Sequence, residues 1–345
     1  MCQYVDDGIY AIKAADGVEI PADVDPKDLD EVAKYAPQSV AELRTMAKRF
    51  TVNFLGKPKL FLGMNIEIES PTRITISANK YVSKQAEKLL PKPLSEYPEF
   101  DLPADEKLTK AYERAVKREH TSSPEMIRKY KSKIGALIYA PPCGRVDCTW
   151  AISMLARVAT YPTQEMDLLA DRVLAYAAQH PARGETFDAS VKNAGVLTAF
   201  CDSDWNVLHS MTGFCILLCG AAVIYGSKRQ HAIALSSTEA EVMAASHAAL
   251  EVVYVTKLTR EMGIVLDKPP VLYIDNSGAL ALAKDRRSCH KSKHIDRRYL
   301  KVREFVEDGE IRVAAVPTDE NPADLFTKDL ARPKFEKFLR MVTGQ

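Results

Sequence analysis

One long amphipathic stretch, Thr238 to Met262, with strand-like runs on both sides of it, constrains this chain more than any other feature. Its apolar positions Val242, Ala245, Ala249, Val253 and Leu258 recur at helical spacing. Ahead of it lie three runs rich in β-formers, Val196–Cys201, Thr212–Leu218 and Ala221–Tyr225, and then His231–Leu235. After it come a strand over Val271–Ile274, a helix from Ser277 to about Asp285 and a second from Ile295 to Glu307. A strand over Ile311–Val316 and a final helix beginning over Pro322–Leu330 close the series. The order β-β-β-α-β-α-(α)-β-α is that of an α/β layer, with helices laid on a sheet.

Four acidic side chains fall at the ends of these elements, each in its own setting: Asp202 in CDSDW, Glu241 in SSTEAEV, Asp275 in YIDNSGAL and Asp324 in NPADLFTK. Asp202 is expected to close the first strand and Asp275 the fourth, while Glu241 lies one turn into the long helix. Asp324 is expected at the start of the last helix, where Asn321 or Thr318 caps and the helix dipole favours an anion. Clustered carboxylates are what a pair of Mg²⁺ ions about 4 Å apart needs in order to cut a phosphodiester. Taken singly, each acid reads equally well as a cap or a surface residue. Glu239 competes with Glu241 for the helical position, and residues two apart point to different faces. Asp204 competes with Asp202, and strand alternation puts those two on one face.

Lys+Arg of 47 against Asp+Glu of 46 leaves a formal net charge of +1, so affinity for nucleic acid has to come from a local patch. One such patch exists. Lys284, Arg286, Arg287, Lys291, Lys293, Arg297, Arg298, Lys301 and Arg303 crowd together with His290 and His294, offset only by Asp285 and Asp296. An excess of this kind contacts phosphates and makes binding salt-dependent, although a solvated basic helix face would read the same way. A hydrophobic share of 46% and a charged share of 27% belong to a globular chain. The seven cysteines, an odd number in a long chain, point to reduced thiols and an intracellular home, in cytoplasm or nucleus. No pairing of Cys143, Cys148, Cys289, His290 and His294 has zinc-finger spacing. The N-terminus lacks the basic start and apolar core of a secretory signal, and the longest apolar run, Phe214 to Tyr225, is short of the ~18–20 residues of a membrane span.

The preceding part divides into two stretches. Residues 1–77 alternate strand-like and helical material, with β-formers on both sides of Asp6-Asp7-Gly8, a turn-like triplet. Residues 78–184 are mostly helical, broken by Pro91–Pro103, and Pro181-Ala-Arg-Gly184 marks the junction to the part that carries the acids.

SKRQHAIALSSTEAE (Ser227–Glu241), KHIDRRY (Lys293–Tyr299) and NPADLFTK (Asn321–Lys328), with the D-E-D-D series, resemble in wording and order the RNase H domain of Ty1/copia-type retrotransposon polyproteins. Tyr4-Val5-Asp6-Asp7 resembles the YVDD word of reverse transcriptases. Phe61-Leu62-Gly63-Met64, Ile134–Ala140 and Tyr161-Pro162-Thr163 resemble the segments that end the polymerase palm and lead into RNase H. The resemblance covers nearly the entire chain. It implies a partial reverse-transcriptase palm over 1–77, a helical thumb/connection over 78–184, an RNase H-like domain with a mixed five-stranded sheet over 185–330, and a C-terminal tail over 331–345. It also implies cleavage of the RNA strand of RNA–DNA hybrids, with Asp202, Glu241, Asp275 and Asp324 on two Mg²⁺ ions (or Mn²⁺ in their place) and the rest of a Pol polyprotein as partner, in a virus-like particle, cytoplasm or nucleus. Asp6 and Asp7 would be vestigial polymerase ligands, since the fingers and the first catalytic aspartate are missing. Lys284, Arg286, Arg287, Lys291, Lys293, His294, Arg297 and Arg298 would contact the substrate. The chain departs from the family where CDSDWNVLHSMTG lacks an acidic and a basic residue and where a TRPDI-like segment reads Gly144-Arg145-Val146-Asp147-Cys148. Such departures look like drift in an element copy, and the alternative reading is a catalytically dead remnant that at most binds nucleic acid.

Overall fold

The computed structural model describes residues 2–4, 7–9, 12, 14–15, 17–21, 23–53, 55–205, 210–284 and 301–345. The chain clusters into two compact units, Met1–Glu67 and Ile68–Gln345, a division that falls ahead of the boundary expected at 77. In the first unit, β1 (Cys2–Tyr4) pairs antiparallel with β2 (Asp7–Ile9), which places Asp7 and Gly8 in a strand rather than in the turn. Asp6 lies outside the described residues. Helices α1 (Leu29–Val32) and α2 (Pro37–Ala47) bury Val32, Ala36 and Val40 with Val24. The carboxylate of Asp28 caps α1 by accepting from the N–H groups of Asp30 and Glu31. β3 (Leu60–Phe61) pairs with the start of β4 (Met64–Ser70).

The second unit opens with β5 (Arg73–Ser77) and the helices α3 (Asn79–Leu89), α4 (Glu106–Val116), α5 (Pro124–Ile138), α6 (Thr149–Ala156) and α7 (Gln164–Gln179). β6 (Glu185–Asp188) pairs antiparallel with β5. Three buried ion pairs, centred on two cations, brace the helical part. Lys133 Nζ sits 2.6 Å from carboxylate oxygens of both Asp167 and Asp171, joining α5 to α7. Arg145 lies fully buried, with its Nε and one terminal nitrogen on the two oxygens of Asp147 at 3.0 and 2.8 Å. The segment read as drift therefore keeps a bidentate pair, the geometry that makes an arginine tolerable in a core.

β7 (Thr198–Asp204), β8 (Met211–Leu218), β9 (Ala221–Arg229), β10 (Val271–Ile274) and β11 (Arg312–Ala315) form one sheet in the order β11-β10-β7-β8-β9. β7, β8 and β9 are antiparallel neighbours, and β10 runs parallel to both β7 and β11. This mixed five-stranded order is the RNase H-like fold that the sequence implies. Between β9 and β10 runs α8 (Ser237–Glu261), followed by α9 (Ser277–Lys284) and α10 (Lys301–Glu307). Residues 285–300 lie outside the described residues, so of the expected helix from Ile295 to Glu307 only α10 is described.

Both faces of the sheet are covered, and the alternation along β7 shows how. Ala199 and Cys201 pack towards α8, where Ala244, Ala245, Ala248 and Ala249 let the helix approach closely. Phe200 points the other way, into a second core with Phe326, Phe335, Phe338 and Val342. The last of these belong to α11 (Arg332–Thr343), which corrects the expectation of a tail over 331–345. Phe335, Phe338, Leu339 and Val342 recur at i, i+3, i+4 and i+7, a one-sided apolar stripe whose large members each contribute about 1.5–3 kcal/mol when buried. The helix expected to begin at Pro322 is instead a short 3₁₀ turn, Pro322–Phe326. Its apolar residues Ala323, Leu325 and Phe326 are all buried, and the Asn321 side chain fixes its start by accepting from the Ala323 N–H and donating to the Cys201 carbonyl.

Candidate metal centre

Asp202, Glu241 and Asp275 each offer a carboxylate oxygen, and these oxygens all lie within 4.8 Å of one another. Three separate elements bring them together. Asp202 stands within β7, two residues before its end; Asp275 follows directly after β10, the parallel neighbour of β7; and Glu241 lies one turn into α8. The phase of Glu241 is set by the start of that helix. Ser236 Oγ accepts from the Glu239 N–H at 3.2 Å, and Glu239 Oε2 accepts from the Leu235 N–H at 2.7 Å, a reciprocal cap of the kind that opens many helices. Glu239 is thereby committed to capping, and Glu241 is the residue the helix turns towards the end of β7, where its Oε1 accepts from the Ser203 N–H at 3.2 Å. Asp204, the other candidate on β7, is not in the cluster.

Crowding like charges out of water has the expected electrostatic result. Burial, followed by the negative charges of Asp202 and Asp275, pushes the Glu241 carboxyl up to about 8. Burial also pushes Asp202 up to about 6; Lys328 and the Thr327 hydroxyl pull it back, while Asp324 and Asp275 push it further. Glu241 Oε2 is buried and has no hydrogen-bond partner among the described residues. A buried, partnerless oxygen beside two more carboxylates fits a hard divalent cation, which takes oxygen donors and repays the repulsion among them.

The fourth acid is placed differently from the expectation. Asp324 is fully buried on the 3₁₀ turn, outside the three-carboxylate cluster, and two ammonium groups hold it. Lys328 Nζ lies 2.8 Å from its Oδ1 and Lys334 Nζ 2.8 Å from its Oδ2. Lys328 Nζ also stands 3.4 Å from Asp202 Oδ2, and Thr327 Oγ1 donates to the same Asp202 oxygen. A glycine makes this arrangement possible. Gly213 is paired with Asp202 across β7 and β8, and a Cβ there would come within 2.6 Å of the Thr327 Cγ2, 2.8 Å of the Ala323 carbonyl oxygen and 2.9 Å of Phe326 Cβ. Thr327, Lys328 and Lys334 were not among the residues singled out from sequence. The Asp324–Lys328 spacing of four was the one available cue for them, and Lys334 offered none.

The remaining predicted residues separate by region. Asp7 opens β2 in the first unit. Lys284 ends α9 and is exposed. Arg286, Arg287, Lys291, Lys293, His294, Arg297 and Arg298 lie outside the described residues.

No protein-family model matches the sequence. Among curated proteins, the chain is 31% identical over 308 residues to the retrovirus-related Pol polyprotein from transposon TNT 1-94 of Nicotiana tabacum, a match covering 86% of this chain and 22% of that protein. It is 29% identical over 307 residues to the Pol polyprotein from transposon RE1 of Arabidopsis thaliana, covering 86% and 20%. It is 30% identical over 262 residues to a putative transposon Ty5-1 protein of Saccharomyces cerevisiae, covering 71% of this chain and 77% of that one. The chain thus spans about a fifth of the length of the first two polyproteins. Solved structures similar to it include RNase H1 from Halobacterium salinarum, at 16% identity and a TM-score of 0.28, covering 38% of this chain and 93% of that one. A foamy viral protease–reverse transcriptase in complex with RNA/DNA hybrid is similar at 13% identity and a TM-score of 0.33, covering 62% and 27%.

Proposed function

This chain belongs to the copia-type retrotransposon Pol family, and on that premise we propose that its C-terminal part is a divalent-cation-dependent RNase H that hydrolyses the RNA strand of RNA–DNA hybrids. The observation that carries the proposal is the meeting of Asp202, Glu241 and Asp275 at one end of the mixed sheet, their oxygens within 4.8 Å of one another. These three would hold Mg²⁺, or Mn²⁺ in its place, through hard oxygen donors. When bound there, such ions supply a water activated for attack on phosphorus and neutralise the charge that develops on the leaving 3′ oxygen.

The chain's own residues do the rest. The Ser203 N–H holds Glu241 Oε1, so the proton of the uncharged form sits on Oε2 and must leave before that oxygen can act as a ligand. Thr327 orients Asp202 from the opposite side. Lys284, Arg286, Arg287, Lys291, Lys293, His294, Arg297 and Arg298 would grip the substrate's phosphates, whereas Arg303 is buried with its guanidinium on the Leu282 carbonyl; hybrid preference would come from 2′-OH contacts across a wide minor groove.

The test is to incubate the full chain with labelled hybrid, duplex DNA and duplex RNA in Mg²⁺ or Mn²⁺. Cleavage of the hybrid RNA strand that disappears in Asp202→Asn and Glu241→Gln is the expected result. Hybrid left intact by the folded wild type, or cut equally well by Asp202→Asn, would overturn the proposal and leave the nucleic-acid-binding remnant as the better reading.

A further inference from the structure

The place beside Asp202 and Asp324 is taken by an ammonium group. Lys328 Nζ lies 2.8 Å from Asp324 Oδ1 and 3.4 Å from Asp202 Oδ2, so one side chain bridges Asp324 to a member of the three-residue cluster. Asp202 and Asp324 are buried, with side chains 4% and 0% exposed, whereas the Lys328 side chain is 37% exposed. The charge is therefore carried on a stem that reaches solvent, while its two acceptors are enclosed. Lys334 holds the far oxygen of Asp324, so that carboxylate keeps a counter-ion when Lys328 leaves.

We propose that Lys328 is a positioning residue that occupies, with its ammonium group, the space between Asp202 and Asp324 that a second divalent cation needs. Cations then enter in sequence. The first is taken by Asp202, Glu241 and Asp275 while Lys328 stays in place. The second arrives only as Lys328 withdraws to solvent, because an ammonium and a divalent ion sharing Asp202 and Asp324 repel one another at close range. This rests on the reading above that the three carboxylates bind a divalent cation, and it goes further by assigning unequal affinities to two ions and naming the side chain responsible.

Calorimetric titration of Mn²⁺ into the full chain tests it, with no substrate and no turnover involved. The wild type should take up one ion in a first phase and a second far more weakly. Lys328→Met keeps the alkyl stem and removes the charge. It should strengthen the second phase by roughly tenfold or more, the change that ~1.4 kcal/mol of relieved repulsion brings. The electron paramagnetic resonance spectrum of Lys328→Met should then show an exchange-coupled manganese pair at concentrations where the wild type shows an isolated ion. Lys328→Arg retains the cation and should keep the wild-type pattern, which separates the effect of charge from that of a disturbed fold. Two equal ions in the wild type, or a Lys328→Met titration unchanged from it, would overturn the proposal with the metal-site reading intact. Binding that is absent, or indifferent to Glu241→Gln, would overturn the metal-site reading and this one with it.

Discussion

Replacing Glu241 by glutamine removes one of three like charges while keeping the oxygen that accepts from the Ser203 N–H, so its consequences are almost purely electrostatic. In the folded chain this carboxyl is pushed from an ordinary 4.5 up to about 8, first by burial and then by Asp202 and Asp275. Between those values the native state retains a proton that the unfolded chain releases. The associated stability is complete below pH 4.5 and is lost as pH rises through 8. At ~1.4 kcal/mol per pH unit the span from 4.5 to about 8 amounts to about 5 kcal/mol at most. Asp202, raised to about 6, adds a loss of the same sign over a lower window.

Glu241→Gln should therefore match the wild type within about 1 kcal/mol at pH 5 and exceed it by several kcal/mol at pH 9, in the presence of a chelator. Urea unfolding of the full chain at pH 5, 7 and 9 measures the difference. Adding Mn²⁺ at pH 9 to a hundred times its dissociation constant should return about 2.7 kcal/mol to the wild type and much less to the variant. A variant less stable than the wild type at pH 9, or a gap that does not change between pH 5 and pH 9, would refute the reasoning.

Other perturbations test the framework around the site. Gly213→Ala forces a Cβ to within 2.9 Å of Thr327, Ala323 and Phe326 and should destabilise by about 1–3 kcal/mol, weakening Mn²⁺ binding as the turn moves away from Asp202. Asp147→Asn leaves the Arg145 charge buried without its partner and should cost about 3–5 kcal/mol, read as a lower urea midpoint. Ser236→Ala removes the cap of α8 and should cost about 0.5–2 kcal/mol by the same measurement, with a further loss in Mn²⁺ affinity because the cap sets the phase of Glu241. A fragment beginning at 185 loses the Arg183–Glu336 pair at 2.7 Å and the Ser153 bond to the Ser227 carbonyl at 2.8 Å, and should melt below the 68–345 fragment in a thermal scan.

The elements that seat the three clustered acids were legible because each announces itself locally. α8 runs one residue ahead of its expected limits at either end, since the apolar period over Val242–Leu258 is long and its cap is a serine followed by a glutamate. The strands were visible as β-branched and aromatic runs, although β9 extends four residues past Tyr225 through Gly226-Ser227-Lys228-Arg229, which carry no strand preference of their own and are held by pairing with β8. The 3₁₀ turn looks like a helix start in the sequence because Pro322 and Asp324 suit either. What decides against a helix is the burial of Ala323, Leu325 and Phe326 on every side, which is tertiary information. α11 carries a legible signal of its own, the apolar stripe at 335, 338, 339 and 342. The partners of Asp324 were not legible in full. Lys334 reaches it from the next helix, a proximity created when α11 folds back over the sheet.

That fold-back has a consequence for synthesis. Ribosomes deliver α11 after all five strands, so Phe200, Cys215 and Ala222 lack part of their apolar cover until Phe335, Phe338, Leu339 and Val342 emerge. A message with a stop codon just ahead of Arg332 would specify Asp202, Glu241, Asp275 and Asp324 and still release a sticky product, prone to proteases and to self-association, whose failure no inspection of the nuclease residues would foresee.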